Sequence, residues 1–367
     1  MIHQPHRFLP LLVLLGTLLM GCGGNDSAAA ARFPARFYGV VPQGNPPGPQ
    51  DFRKMGNGGV GTMRFMVPWA TVQPQAGACC NWSLIDHKVG AAAANGIQSL
   101  PYIYGTPGWV NDRPARPPIT TEADRRAWKR FLIAFVQRYE RRGAYWTNPS
   151  LYRAQHPGAR PVPVKAVQIW NEQNSPVYWR PRPKPAEYGK LLKISHDAIQ
   201  GANRWMKVLS GGMFFSPDKR TAIHADRFLG RLYKINGVKQ AFDIGAIHPY
   251  AGGIHGVKAQ IKLMRKVMRK ARDRKTKLWV SEIGWSSRGP RSNPLIKTPK
   301  GQARMLNKAF RLLRHNRKRW HIAGVNWYSW RDVGQSQAPC QFCFASGLLS
   351  RDGKGKPAWR AFKRFAQ

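Results

Sequence analysis

Two short stretches hold the residues best suited to chemistry. QIWNEQN, residues 168–174, places Asn171 and Glu172 directly after the apolar run VKAVQIW. LWVSEIGW, residues 278–285, places Glu282 near the end of a second apolar run. A glutamate at a strand end is ordinarily a solvated cap or a salt-bridge partner. Two of them, brought face to face in different surroundings, can do more. One can deliver a proton to a leaving oxygen while the other attacks carbon or activates water, which is what hydrolysis of a glycosidic bond requires. Other catalytic signatures are missing. No HExxH occurs, the ten His do not cluster at ligand spacing, and there is no GxSxG elbow. No metal and no cofactor is therefore implied.

Glutamates this far apart in the chain meet only if the fold gathers strand ends at one mouth. The pattern predicts such a fold. Short apolar runs at 37–41, 61–67, 97–105, 164–172, 206–212, 242–250, 277–285 and 322–332 read as strands. Between them, 81–96, 121–143, 186–203, 224–237, 258–274 and 298–316 read as helices, and a last helix closes the chain near KPAWRAFKRFA. Thr120 or Thr121 suits the N-cap of the 121–143 helix, with acids in its first turn. Eight strand–helix repeats point to an α/β fold, a (β/α)8 TIM barrel, as one domain over 36–367. A doubly wound open sheet is the alternative, but its Gly-rich phosphate loop is absent. In a barrel, catalytic side chains sit at the C-terminal ends of the strands, where Glu172 and Glu282 fall.

With that placement the sequence resembles the retaining glycoside hydrolases of clan A. In finer pattern it is similar to glycoside hydrolase family 39 and its bacterial relatives acting on exopolysaccharides. The resemblance runs over residues 36–367. Besides Asn171-Glu172 and Glu282 it rests on Arg64, PWATVQP (68–74), NWSLID (81–86), HPY (248–250), EIGW (282–285) and WYSWRD (327–332). It implies that Glu172 is the general acid/base and Glu282 the nucleophile of a secreted β-glycosidase. Arg64 would supply a cation to Glu282 and Tyr250 a hydrogen bond. Asn171 would hold a sugar hydroxyl, His248 would line the mouth, and Trp330 would stack under a sugar ring. Trp109, Trp170, Trp179 and Trp285 are further candidates for subsite walls. Asp243, His255 and Asp332 lie near strand ends but receive no role. A non-cleaving glycan-binding barrel and a transglycosylase are the alternatives that the same residues leave open.

Composition sets the surroundings. The chain has 60 Lys+Arg against 17 Asp+Glu, a formal charge of +43. Such a surface attracts polyanions and anionic membranes. No zinc-finger spacing, basic zipper or RNP-type motif appears, so no specific nucleic-acid partner is expected. A carbohydrate is the expected partner; the charge suits either an acidic polysaccharide or attachment to an anionic envelope. The Arg- and Lys-bearing loops 180–188 and 286–300 are expected to flank its site. The sequence assigns no oligomeric state. The run FLPLLVLLGTLLM (8–20) suits a signal h-region. It leads to Leu19-Met20-Gly21-Cys22, which resembles a bacterial lipobox. Residues 1–22 are therefore expected to be a signal segment with lipidation at Cys22, an ordinary cleaved signal peptide being the alternative, and 23–35 a tether, which makes the protein secreted or lipid-anchored on the outer side of a bacterial membrane. Export places Cys79, Cys80, Cys340 and Cys343 in an oxidising compartment as disulfide candidates. A local Cys340–Cys343 bond and cross-bridges between the two segments both remain open.

Overall fold

Runs rich in Val, Ile and aromatic residues form the strands, and all of them pair in parallel. The computed structural model describes residues 36–367 apart from 78, 217 and 219. The expected signal segment, the tether and Cys22 lie outside the described residues. The strands are β1 (Tyr38–Val41), β2 (Thr62–Pro68), β3 (Gln98–Tyr104), β4 (Ala166–Ile169), β5 (Lys207–Leu209), β6 (Met213–Phe214), β7 (Ile244–His248), β8 (Lys277–Ile283) and β9 (Ile322–Tyr328). They run in the order β5-β4-β3-β2-β1-β9-β8-β7-β6, and a β5–β7 pairing closes the ring. This is the (β/α)8 barrel, with β5 and β6 acting as one broken strand.

The break has a local cause. A Cβ on Gly211 would lie 2.0 Å from Oε1 of Gln173, and one on Gly212 would lie 2.0 Å from Nε2 of His248. Only glycine lets the chain pass so close to these side chains. Regular pairing is interrupted there. Leu209 pairs with Ile244, and the Ser210 hydroxyl then accepts the N–H of Ala246 at 3.0 Å.

The helices cover the outside of the ring. Glu122–Tyr139 buries Trp128, Phe131, Leu132, Phe135 and Val136 at three- and four-residue spacing. Of the two candidate caps, Thr121 is used. Its hydroxyl accepts from the N–H of Asp124, whose carboxylate accepts the N–H of Thr121. Thr298 caps Pro299–His315 with a single bond, its hydroxyl accepting the N–H of Gly301. Cys79 is bonded to Cys80 and Cys340 to Cys343. Among the described residues each cysteine is thus paired within its own segment.

Most strands are shorter than the sequence suggests, two of them with consequences for the site. The apolar run ahead of Glu172 leaves the sheet at Ile169 because Trp170 and Glu172 take φ of 72° and 40°. Left-handed backbone cannot continue a strand. The last strand ends at Tyr328 instead of continuing to residue 332.

Candidate active site

Glu172 sits on this left-handed segment, a conformation that costs about 1–3 kcal/mol at a non-glycine residue and persists only where the surroundings impose it. Here they do. The N–H of Trp170 donates to Ile103 O at 2.9 Å, and the N–H of Glu172 donates to Gly212 O at 3.1 Å. The Trp170 ring is fully buried between Trp128 and Trp179, and its Nε1 donates to Tyr178 O at 2.6 Å. The pinned backbone aims the Glu172 carboxylate into the mouth of the barrel.

Arg64 stands beneath, on β2, with no solvent exposure. Each edge of its guanidinium is used. Nε donates to Gln168 Oε1 at 3.0 Å, Nη2 to Asn171 Oδ1 at 2.7 Å and Nη1 to Glu282 Oε1 at 2.6 Å. Its face lies 4.2 Å from the ring centre of Tyr102. Tyr250 donates to the other oxygen of Glu282, Oε2, at 2.9 Å. His248 is fully buried between the glutamates, with Nδ1 2.8 Å from Glu172 Oε1 and Nε2 3.6 Å from Glu282 Oε1.

The two carboxyls lie in contrasting fields. Burial pushes Glu172 above the ordinary carboxylate range, aided by the charge of Glu282 and only partly offset by His248 and Arg64. Burial also acts on Glu282, but His248, Arg64 and Tyr250 together outweigh it and hold that carboxyl low. The surroundings thus push the two carboxyls in opposite directions, the order an acid and a nucleophile need.

A cavity of about 610 Å³ opens above them. Asn171, Glu172, Tyr250 and Glu282 line it, with Tyr102, Tyr178, Phe214, Tyr328 and Phe342 as aromatic wall. Phe342 packs 5.1 Å from Tyr250, beside the Cys340–Cys343 bond. The turn after β1, Pro42–Pro47, forms another side. Arg64 and His248 act from below rather than as lining.

Several expected wall residues are elsewhere. Trp330 is buried, donates from Nε1 to Asp51 Oδ1 at 2.9 Å and packs 5.2 Å from Trp359. It lies beyond the end of β9, where the chain has left the barrel mouth. Trp285 is fully buried against Trp327 and donates to Ala251 O at 2.8 Å. Trp170 and Trp179 are core, and Trp109 donates to Gln73 O at 3.0 Å outside the cavity. Neither 180–188 nor 286–300 contributes to the lining. Among the described residues lining the cavity, Lys88 is the one cation.

Sequence reasoning missed Tyr102, Tyr178, Phe214, Tyr328, Phe342 and Gln168. For two of them a signal existed. Arg64 pairs with Leu100 in register, and period-two alternation from there brings Tyr102 inward. The same alternation along β9 links Tyr328 to Asn326, which donates to Thr62 Oγ1 across the barrel interior. Tyr178 and Phe342 come from irregular segments that carry no periodicity.

One ligand atom each from Glu172, His248 and Glu282 lies within 4.8 Å of the others, a donor set that could face a divalent cation. Two of these atoms are already matched, however: Glu172 Oε1 to His248 and Glu282 Oε1 to Arg64. A cation entering there would meet a fixed guanidinium. The arrangement fits proton and covalent chemistry between two unlike carboxyls better than metal ligation.

No family model and no curated protein matches the sequence. Solved structures do match. A family 39 glycoside hydrolase from the gut symbiont Bacteroides cellulosilyticus aligns at TM-score 0.64 and 21% identity, over 90% of this chain and 64% of that one. The chain thus spans just under two thirds of that protein's length. A family 5, subfamily 18 glycoside hydrolase variant from Streptomyces cattleya, in complex with Manβ1-4GlcNAc, aligns at 0.64 and 16%, over 90% and 80%. A monomeric β-xylosidase from Caulobacter crescentus aligns at 0.63 and 17%, over 89% and 67%. At this identity the likeness establishes the fold: a (β/α)8 barrel similar to those of family 39 and family 5 glycoside hydrolases.

Proposed function

We propose that the chain is a retaining glycoside hydrolase acting on a β-linked poly- or oligosaccharide. The observation that carries this reading is the Glu172–His248–Glu282 cluster, with an oxygen of each glutamate within 4.8 Å and the two carboxyls shifted in opposite directions. Retaining catalysis uses carboxyls about 5–5.5 Å apart, whereas inverting catalysis needs about 6.5–9.5 Å to admit a water. In the first step ionised Glu282 bonds to the anomeric carbon as the bond to the leaving oxygen breaks, and Glu172 gives that oxygen its proton. In the second, Glu172 takes a proton from water as the water displaces Glu282. Arg64 and Tyr250 keep Glu282 ionised and aimed. Asn171 has its Oδ1 occupied by Arg64, so its Nδ2 is the donor left for a sugar hydroxyl.

Hydrolysis of a panel of β-linked aryl glycosides and polysaccharides, with the product anomer followed by NMR, tests the reading. Wild type should cleave one class with retention, and Glu172→Gln and Glu282→Gln should each lose about 10³-fold or more. Net inversion, or binding without cleavage by the folded wild type, would overturn it. Products that are longer glycans instead of free sugar would assign transglycosylation to the same carboxyls.

A uronate-bearing glycan is a second, narrower reading. It rests on Lys88, which lines the cavity with no carboxylate partner among the described residues and which burial holds down to about 8. Equal cleavage of neutral and uronate-bearing substrates, unaffected by Lys88→Met, would remove it. Export with lipidation at Cys22 is also part of the proposal, supported by the apolar run 8–20 and the cysteine that follows it. Cys22→Ser should release the protein from membranes.

A further inference from the structure

The positive charge is unevenly placed. The described helices of eight residues or more at 49–57, 83–94, 122–139, 185–202 and 225–232 each contain at least one carboxylate. The helices Ile254–Lys270, Pro299–His315 and Pro357–Ala366 contain none. These three are neighbours, with Pro299–His315 packed against both of the others. From residue 254 to residue 331 the only acids are Asp273 and Glu282. Asp273 is 3% exposed and bonded to Tyr233, and Glu282 belongs to the catalytic cluster.

The cations on this side form stripes. Lys258, Lys262 and Lys266, four residues apart, are exposed along the first helix. Lys300, Arg304, Lys308 and Arg311 are exposed along the second. Two grooves open on this side, one between the first helix and residues 319–320, the other between the second helix and the third. One, of about 390 Å³, is lined by Lys262, Lys266, Arg269 and Arg319. The other, of about 510 Å³, is lined by Arg311, Arg314 and Arg364. Such grooves suit phosphate oxygens.

The position of the first described residues favours one kind of phosphate. Tyr38 stacks on Phe310 of the central cationic helix at 4.9 Å, and Phe37 lies beneath the Arg317 guanidinium at 5.8 Å. The chain therefore enters the barrel at the edge of the cationic face. In the sequence, residues 23–35 separate this point from Cys22. Thirteen residues reach at most about 45 Å. A lipid on Cys22, as proposed above, would keep this face within reach of the headgroups. The catalytic mouth lies at the opposite ends of the strands, directed away.

We propose that the face formed by the helices at 254–270, 299–315 and 357–366 docks on an anionic phospholipid surface. Each cation near such a surface adds attraction that salt screens.

The lipidated protein tests this by flotation with vesicles of phosphatidylcholine alone or with phosphatidylglycerol added at three parts in ten. Two charge-reversal variants are compared: Arg304→Glu/Lys308→Glu/Arg311→Glu on the face, and Arg126→Glu/Lys129→Glu/Arg130→Glu on the exposed side of the helix Glu122–Tyr139. Their total charge is identical, and thermal melts establish that both fold. Binding to neutral vesicles reports the lipid on Cys22 and should be the same for all three proteins. Binding to anionic vesicles should be tighter for wild type, fall about a hundredfold or more in the face variant at low salt, and fall far less in the control. An equal loss in both variants, or no preference of wild type for anionic vesicles, would overturn the proposal. Face-dependent binding to alginate or DNA without face-dependent binding to vesicles would also overturn it, and would reassign the face to a soluble polyanion. None of these outcomes depends on glycosidase activity.

Discussion

Arg64 Nη1 stands 2.6 Å from Oε1 of Glu282, and both side chains are nearly withdrawn from solvent, at 0% and 12% exposure. The same guanidinium reaches Asn171 and Gln168. One residue on β2 therefore joins the residues that follow β4 to those of β8. Arg64→Met should leave a buried carboxylate without its cation and cost about 3–5 kcal/mol in urea unfolding. It should also lower kcat/KM by more than Arg64→Lys, which keeps the charge but not the fork.

The opposed shifts of the two glutamates predict a bell-shaped pH profile. Glu282 must be ionised, and it is held below the ordinary range, so the acid limb should fall below about 4.3, the usual glutamate value. Glu172 must be protonated, and burial raises it, so the alkaline limb should fall above that value. Their stability linkages have opposite signs. Glu282 contributes stability above its unfolded value and loses it as pH drops through its lower folded value. Glu172 contributes below its unfolded value and loses it as pH rises through its higher folded value. In Glu172→Gln the alkaline limb of kcat/KM should vanish, and cleavage of a dinitrophenyl glycoside, whose leaving group needs no proton, should survive far better than cleavage of an alkyl glycoside.

Tyr250→Phe removes the hydroxyl 2.9 Å from Glu282 Oε2. A hydrogen bond to a charged group is worth about 1.5–3 kcal/mol, so kcat/KM should drop about 10- to 100-fold and the acid limb should move upward in pH. A loss without movement of the limb would assign Tyr250 to sugar contact instead.

Trp330→Ala separates packing from substrate contact. Trp330 is held by Asp51 and Trp359 and does not line the cavity. The variant should lose about 3–5 kcal/mol of stability, as large-to-small core changes do, while KM at a temperature where it stays folded should not change. A raised KM in a protein of unchanged melting temperature would restore the residue to the substrate site.

Much of this was legible in the sequence because two signals agreed. Strand periodicity counted eight staves, and the chemistry-bearing pairs Asn171-Glu172 and His248…Tyr250 fell where those staves end. Arg64 was legible for a related reason: a lone charge inside an apolar strand must find a partner. The tryptophans misled because ring size says nothing of direction. Trp285 and Trp330 are near the ends of β8 and β9, yet backbone beyond a strand no longer obeys alternation. The aromatic wall came instead from Tyr102 and Tyr328, within the strands, and from Tyr178 and Phe342, delivered by loops. Loop charge misled similarly, since Arg and Lys at 180–188 and 286–300 are near the mouth in sequence but outside the cavity lining.

The gap between β5 and β6 gives the barrel a seam. A single register pair, Leu209 with Ile244, joins β5 to β7, and a serine hydroxyl takes the place of the next ladder bond. Heating should loosen the ring early here, because the ladder is interrupted and a side-chain bond stands in for a backbone one. The seam is also where Gly212 receives the N–H of Glu172 and passes against His248. The protein thus carries a thermal fuse: the proton donor would lose its aim while the rest of the barrel still stood.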